Sequence, residues 1–401
     1  MIPARVAAKR GLAVAGGLIL AIAGAVGCAT AKPAPAVAPV APVAAIPEPR
    51  SLQEVAREHW DAWCGGKPRI TAADLDDEAA SPLVHGEEAA AVAAFVQQLN
   101  RLRTKELIDG IDRVQVLPPA ESPAVAPADP AKPDAGAALR KQLEQSYRAA
   151  LRKQREIPTQ LWMNNDGPSF AAIRQSREGD CWLLATTGWM VKHRPDEVRK
   201  AIEPAGANRW RVRFANGETV EVSTPTETEL LAVNSEATLK DGLWLPIVKE
   251  AMGAIIGETN AKKQEIDAES LRISGGSGSR MLQRWTGHRV KVYRLEGKTP
   301  IDEVRAALVD AVERNAAMGA GTPKTPKGKI PPNHALAIFG FDAARDVLIT
   351  WNPWGNDFTP AGPDGRENGY TRKQGIAEIP LADFVELFRG LWIETAEPAT
   401  R

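Results

Sequence analysis

Hydrophobic spacing changes character several times along this 401-residue chain. From Cys181 to Val191, Trp182, Leu183, Leu184, Ala185, Trp189 and Met190 appear with no charge before Lys192, which predicts a helix buried on most sides. Trp244, Ile247, Val248, Ala251 and Ile255 recur at helical spacing and predict a single core-facing stripe. Between these, Trp210, Val212 and Phe214 alternate with Arg209, Arg211 and Arg213. Asn216-Gly217 then turns the chain into Val220 and Val222, the pattern of a hairpin with one buried face. Residues 335–341 and 347–351 are apolar β-type runs separated by Asp342-Ala343-Ala344-Arg345-Asp346, which predicts a second hairpin. Upstream, Val92, Phe95, Val96, Leu99 and Leu102 form a helical face, Trp60 and Trp63 mark another short helix, and the charged stretch 138–156 also reads as helix.

The front of the chain has a different texture. Arg5, Lys9 and Arg10 precede an uncharged run from Gly11 to Gly27, the order of a secretory signal. Ala25-Val26-Gly27-Cys28 resembles a bacterial lipobox, so Cys28 is expected to be the acylated first residue of a mature protein tethered in the cell envelope, facing the periplasm or exterior. An uncleaved anchor is the alternative, because a 17-residue run reaches the short end of what spans a bilayer. The Ala/Pro-rich segments 28–50 and 116–137 read as linkers on either side of a small helical region, 51–115.

Charge adds little to this picture. The 50 basic and 50 acidic residues cancel, and removing the leader takes away three bases and no acid, leaving about −3. No basic stripe calls for nucleic acid.

Chemistry enters at Cys181. Gly179 and Asp180 break the apolar pattern before it, so the cysteine falls at a helix N-terminus, where unpaired N–H groups and the dipole favour a thiolate. Gln175, six residues upstream, offers an amide that could join the Cys181 backbone N–H around an oxyanion. Alone, Cys181 reads as an inert buried thiol. A partner is available in the second hairpin, where His334 and Asn352 lie symmetrically about residue 343. Symmetrical pairing would make them cross-strand neighbours roughly 4.5–5.5 Å apart. The asparagine oxygen would then fix the imidazole tautomer and leave the other ring nitrogen to face the sulfur. Of five histidines, only His334 has such a partner at hairpin spacing.

These residues resemble the calpain family of cysteine peptidases, and the likeness runs in order over about 157–397. Gln175 to Ala185 is similar to the family's cysteine segment, with Ser176, Arg177 and Glu178 where small and apolar residues are usual. Arg209 to Val222, Gly242 to Met252, Ser274-Gly275-Gly276 with Trp285-Thr286-Gly287, and Ala377 to Phe388 continue the resemblance. It implies an α+β, papain-like fold: a helical Cys-bearing lobe, about 157–272, packed on a β-rich His/Asn-bearing lobe, about 273–397. By the same resemblance Cys181 is the nucleophile, His334 the base and then acid, Asn352 its orienter and Gln175 the oxyanion donor, with Gly275, Gly276 and Asn333 lining the substrate cleft.

Val222-Ser223-Thr224-Pro225 stands where the family has an acidic pair, and no EF-hand pattern occurs. The calcium-sensing accessory domains of animal calpains are therefore expected to be missing. The chemistry needs no cofactor; calcium stays open as a regulator, with no metal ligand assigned. The expected partners are protein or peptide substrates and, through Cys28, a membrane. Other readings are a papain-like acyl transferase, a cell-wall peptide hydrolase, or a non-catalytic binding lipoprotein. Gly319 to Pro332 reads either as a gating loop beside the cleft or as a surface connection. With Cys28 acylated, Cys64 and Cys181 are expected to stay free.

Overall fold

The first helix, Leu52–Cys64, starts at Ser51 because a capping box holds it: the Ser51 hydroxyl accepts from the Glu54 N–H and the Glu54 carboxylate accepts from the Ser51 N–H. It ends at Gly65, whose φ of 60° needs no side chain. The structure, a computed structural model, describes residues 48–103, 110–118, 136–163, 167–175, 179–232, 239–263 and 276–399. The leader and Cys28 lie outside the described residues.

Leu52–Cys64 packs with helices Ala72–Ala80, Gly86–Arg103 and Ala137–Gln154 around Trp60, Phe95, Leu99 and Tyr147. Leu231, from the later helix Glu227–Ala232, completes that cluster. The early helices thus share a core with the rest, and Pro49 to Arg401 form one unit. Strands β1 (Arg69–Thr71) and β2 (Gly110–Asp112) make a small antiparallel ribbon beside them.

The helix Cys181–His193 is apolar all round because it is enclosed all round, and ten successive residues, Trp182 to Val191, are buried. Its surroundings include helices Trp244–Lys263 and Gly278–Thr286 and the three-stranded sheet β3 (Ile202–Gly206), β4 (Arg209–Arg213), β5 (Thr219–Ser223). The exposed arginines of β4 pair across the ladder, Arg211 bridging Glu203 at 3.0 Å and Glu221.

The second half of the protein is a seven-stranded sheet. Its strands are β6 (His288–Arg294), β7 (Met318–Gly321), β8 (Ala335–Asp342), β9 (Val347–Trp351), β10 (Arg372–Lys373), β11 (Ile376–Pro380) and β12 (Gly390–Pro398), in the order β10-β11-β9-β8-β7-β12-β6. Alternation along β8 divides two cores. Ala335 and Ala337 face the Cys181 helix, while Leu336 and Ile338 face a cluster built with helices Ile301–Glu313 and Leu381–Leu387. Gly319 to Gly321, expected in a loop, instead form β7, where the Trp392 indole covers Gly319 so closely that a Cβ would collide with it. The two halves are also clasped by Arg194, just after the cysteine helix, which reaches Glu394 of β12 at 2.8 Å.

The β8–β9 hairpin departs from the symmetrical pairing expected. Near the turn, Asp342 pairs with Val347 and Phe341 with Leu348. A bulge at Phe339 then shifts the register by one, so Ala337 faces Trp351. Extended outward, the unshifted register would put His334 and Asn352 on opposite faces of the sheet. The bulge restores them to one face as diagonal neighbours.

Candidate active site

Asn352, just after β9, is fully buried, and His334, just before β8, is 6% exposed. The His334 Nε2–H donates to Asn352 Oδ1 at 2.9 Å, which fixes the tautomer and leaves Nδ1 as the free ring nitrogen. The same Asn352 oxygen accepts the Trp354 N–H at 3.0 Å, so the carboxamide cannot rotate without losing both bonds. Trp354 turns its ring to within 4.6 Å of the imidazole and covers it.

Thr322, the residue after β7, completes the histidine's setting. Its hydroxyl accepts the His334 N–H at 2.8 Å, and its own N–H donates to the His334 carbonyl at 2.8 Å. The hydroxyl proton goes to Pro331 at 2.6 Å. Asn333, just before the histidine, takes φ 45°, a left-handed conformation asparagine tolerates, and is tied to Pro323 by its N–H at 2.8 Å.

Cys181 opens its helix, and its sulfur meets the backbone N–H of Ala335, the residue after His334. Burial pushes the thiol up from its ordinary pKa. The Ala335 N–H opposes this, the Asp180 carboxylate adds to it, and the N–H groups of Trp182 and Cys181 oppose it. The helix dipole alone favours the thiolate; enclosure of the sulfur outweighs it. His334 is pulled down to about 4 by burial, against the Asn352 hydrogen bond, with the Arg372 charge adding to the fall. Both shifts favour the uncharged forms, thiol at Cys181 and imidazole at His334.

Asp180, immediately before the cysteine, is buried and paired with Lys249 at 2.8 Å. Gly188, two turns into the helix, lets the indole of Trp351 lie against the backbone; a Cβ there would overlap the ring. The Gln175 N–H donates to the Pro353 carbonyl at 2.8 Å, joining the segment ahead of the cysteine to the loop after Asn352. Gly276 similarly lies against the Trp182 indole, where no Cβ would fit. Gly275 and the 176–178 stretch lie outside the described residues.

A cysteine at a buried helix start is thus met by the N–H of Ala335, the neighbour of a histidine bonded to an asparagine. The family model for calpain family cysteine proteases matches residues 128–366, more than half of the chain. This protein belongs to the calpain family of cysteine proteases. Relatives include calpain-A of Drosophila melanogaster, 27% identical over 54% of this chain and 28% of the relative. The calpain-1 catalytic subunits of Sus scrofa and Bos taurus are each 26% identical over 58% of this chain and 35% of the relative. The chain thus spans about a third of the length of these curated calpains. The α+β architecture agrees with the calpain protease core.

Two elements of this calpain-type site escaped the sequence reading. Thr322 was visible only as part of a loop, since its bonds to His334 span twelve residues. The Phe339 bulge had a signal in Gly340, a glycine inside an otherwise apolar strand run. Among the described residues no group of three or more His, Cys, Asp or Glu side chains gathers to hold a metal ion, and no helix is long and apolar enough to cross a membrane. Cys64 and Cys181 are both free thiols, Cys64 buried in the N-terminal helical cluster.

Proposed function

We propose that the protein is a cysteine endopeptidase in which Cys181, His334 and Asn352 act as a triad. The observation that carries this reading is the approach of the Cys181 sulfur to the Ala335 N–H, one residue from an imidazole whose far nitrogen is bonded to Asn352. As the sulfur attacks the peptide carbonyl, Nδ1 of His334 takes the S–H proton and then delivers it to the leaving amine. Water, activated by the same nitrogen, hydrolyses the thioester. The Cys181 N–H and the Gln175 carboxamide hold the oxyanion of each tetrahedral state. Gly275, Gly276 and Asn333 line the path of the substrate backbone. No step is routed through a metal, and calcium, if it acts, acts as a regulator.

The location follows from the leader: signal cleavage before Cys28 and acylation of that residue would hold the enzyme in a bacterial cell envelope. A lipid-modified Cys28 peptide in the mass spectrum of the purified protein supports this; an intact Met1 peptide opposes it.

The deciding experiment compares peptide turnover by the wild type and Cys181→Ala and maps the residue labelled by a peptidyl epoxide, with and without calcium. Loss of turnover and labelling at Cys181 are expected. Turnover surviving the substitution, or labelling confined to Cys64, would overturn the assignment. Product masses separate hydrolysis from acyl transfer to an amine, and binding without turnover would mark a non-catalytic protein that keeps the fold.

A further inference from the structure

Beyond Trp354 the sheet face shared by His334 and Asn352 opens onto a cavity of about 280 Å³. Leu336, Trp354, Phe358 and Tyr370 supply much of its wall, and its two charged lining residues, Lys329 and Arg372, are both cations. Neither has a carboxylate partner among the described residues. Other arginines of this half do: Arg366 meets Asp383 at 2.9 Å, Arg345 meets Glu378 at 2.7 Å and Arg305 meets Asp346 at 2.8 Å. Asp383, which accepts from the hydroxyl of the cavity-lining Tyr370 at 2.8 Å, is already engaged by Arg366.

Arg372 is held firmly all the same. Its backbone exchanges two hydrogen bonds with Phe358, at 2.8 and 3.0 Å, and its guanidinium lies over the Phe358 ring at 5.0 Å. Its Nε is buried with no acceptor. Burial also pulls the guanidinium below its usual pKa. A positioned, partly desolvated guanidinium without an acid is costly unless an anion arrives to complete it.

Direction can be argued from the chemistry, on the peptidase reading given above. His334 hands its proton to the leaving amine, so the leaving-side peptide departs over the imidazole toward Trp354, whose ring both covers His334 and lines the cavity. We infer that the Arg372–Lys329 cavity is a binding site for a carboxylate on the leaving side of the substrate, with the guanidinium fork as its clamp. That carboxylate is either an acidic side chain or the substrate's own C-terminus.

Three matched peptides test this: one with glutamate on the leaving side and an amidated end, one with glutamine and an amidated end, and one with glutamine and a free end. The wild type is expected to favour a carboxylate-bearing peptide about tenfold in kcat/KM, carried mainly by KM. The first and third peptides identify which carboxylate is used. Arg372→Gln should abolish the preference and Lys329→Gln reduce it. If Arg372→Gln does not fold, Arg372→Lys, which keeps the charge and loses the fork, takes its place beside the exposed Lys329 variant. The same peptides, fluorescein-labelled, are titrated onto Cys181→Ala, where the preference should reappear in Kd. Equal values for charged and neutral peptides in the wild type and in Cys181→Ala, or a preference that survives Arg372→Gln, would overturn the inference. Absent turnover with the Kd preference intact would keep the carboxylate site and remove the peptidase reading; turnover without preference would do the opposite.

Discussion

The two sides of the site are held by different physics. His334 is set by backbone register: a bulge puts it on the same sheet face as Asn352, Thr322 bonds both its N–H and its carbonyl, and Trp354 covers the ring. Cys181 is set by packing and charge. Its helix docks through Gly188 on Trp351, and the residue before it is anchored by the buried Asp180–Lys249 pair. On the proposed mechanism, hydrogen-bonded backbone fixes the orientation a base needs, whereas side-chain packing fixes the position a nucleophile needs. Removing a pin on the histidine side should therefore cost rate, and removing one on the cysteine side should cost stability.

The largest expected effect lies on the cysteine side. Lys249→Met leaves the Asp180 carboxylate without its lysine in a buried site, and removal of one member of such a pair costs about 3–5 kcal/mol. Urea unfolding should show this as a lower midpoint at unchanged slope. A midpoint within error of wild type would mean that other groups hold Asp180, and the contrast would weaken.

Next comes the asparagine. Asn352→Ala frees the imidazole to rotate and leaves its Nε2–H buried without an acceptor, a loss of about 1–3 kcal/mol, or roughly five- to 150-fold in kcat. KM for a neutral peptide should change little. A pure KM effect would show that Asn352 shapes the cleft instead of orienting the ring.

Thr322→Val is smaller again. The shape is kept, and the hydroxyl that accepts the His334 N–H and donates to Pro331 is lost, at about 1–2 kcal/mol. Its effect on kcat should exceed that of any stability-matched change in the N-terminal helical cluster. Equal effects would mean that the clamp supports the fold and nothing more.

Much of this was legible in the sequence because it is local. An apolar helix that begins at Cys181 and apolar strand runs on either side of residue 343 each follow from spacing or residue type. What stayed hidden is relational. The hairpin register depends on a bulge that only Gly340 hints at, and Thr322 looks like any loop threonine until β7 pairs with β8. The absence of an acid beside Arg372 cannot be read from a segment that has acids on both sides, Asp364 and Glu367 before it and Glu378 after. The dipole at Cys181 was readable, but the enclosure that outweighs it was not, since enclosure is contributed by distant strands.

That enclosure yields the finest test. His334 titrates in the folded protein at about 4, against an unfolded value of about 6.5, so the unfolded chain holds more protons between those limits. The contribution of His334 to stability is therefore complete above about 6.5 and is lost as pH falls through 4. His334→Gln, which cannot titrate, should flatten that part of the stability curve relative to wild type. The acid limb of kcat/KM should likewise have its midpoint nearer 4 than 6.5, because the imidazole must be neutral to take the thiol proton. A limb centred at 6.5, with stability flat down to pH 4, would place the ring in water and undo the claim that Asn352, Trp354 and Thr322 together keep it buried and aimed.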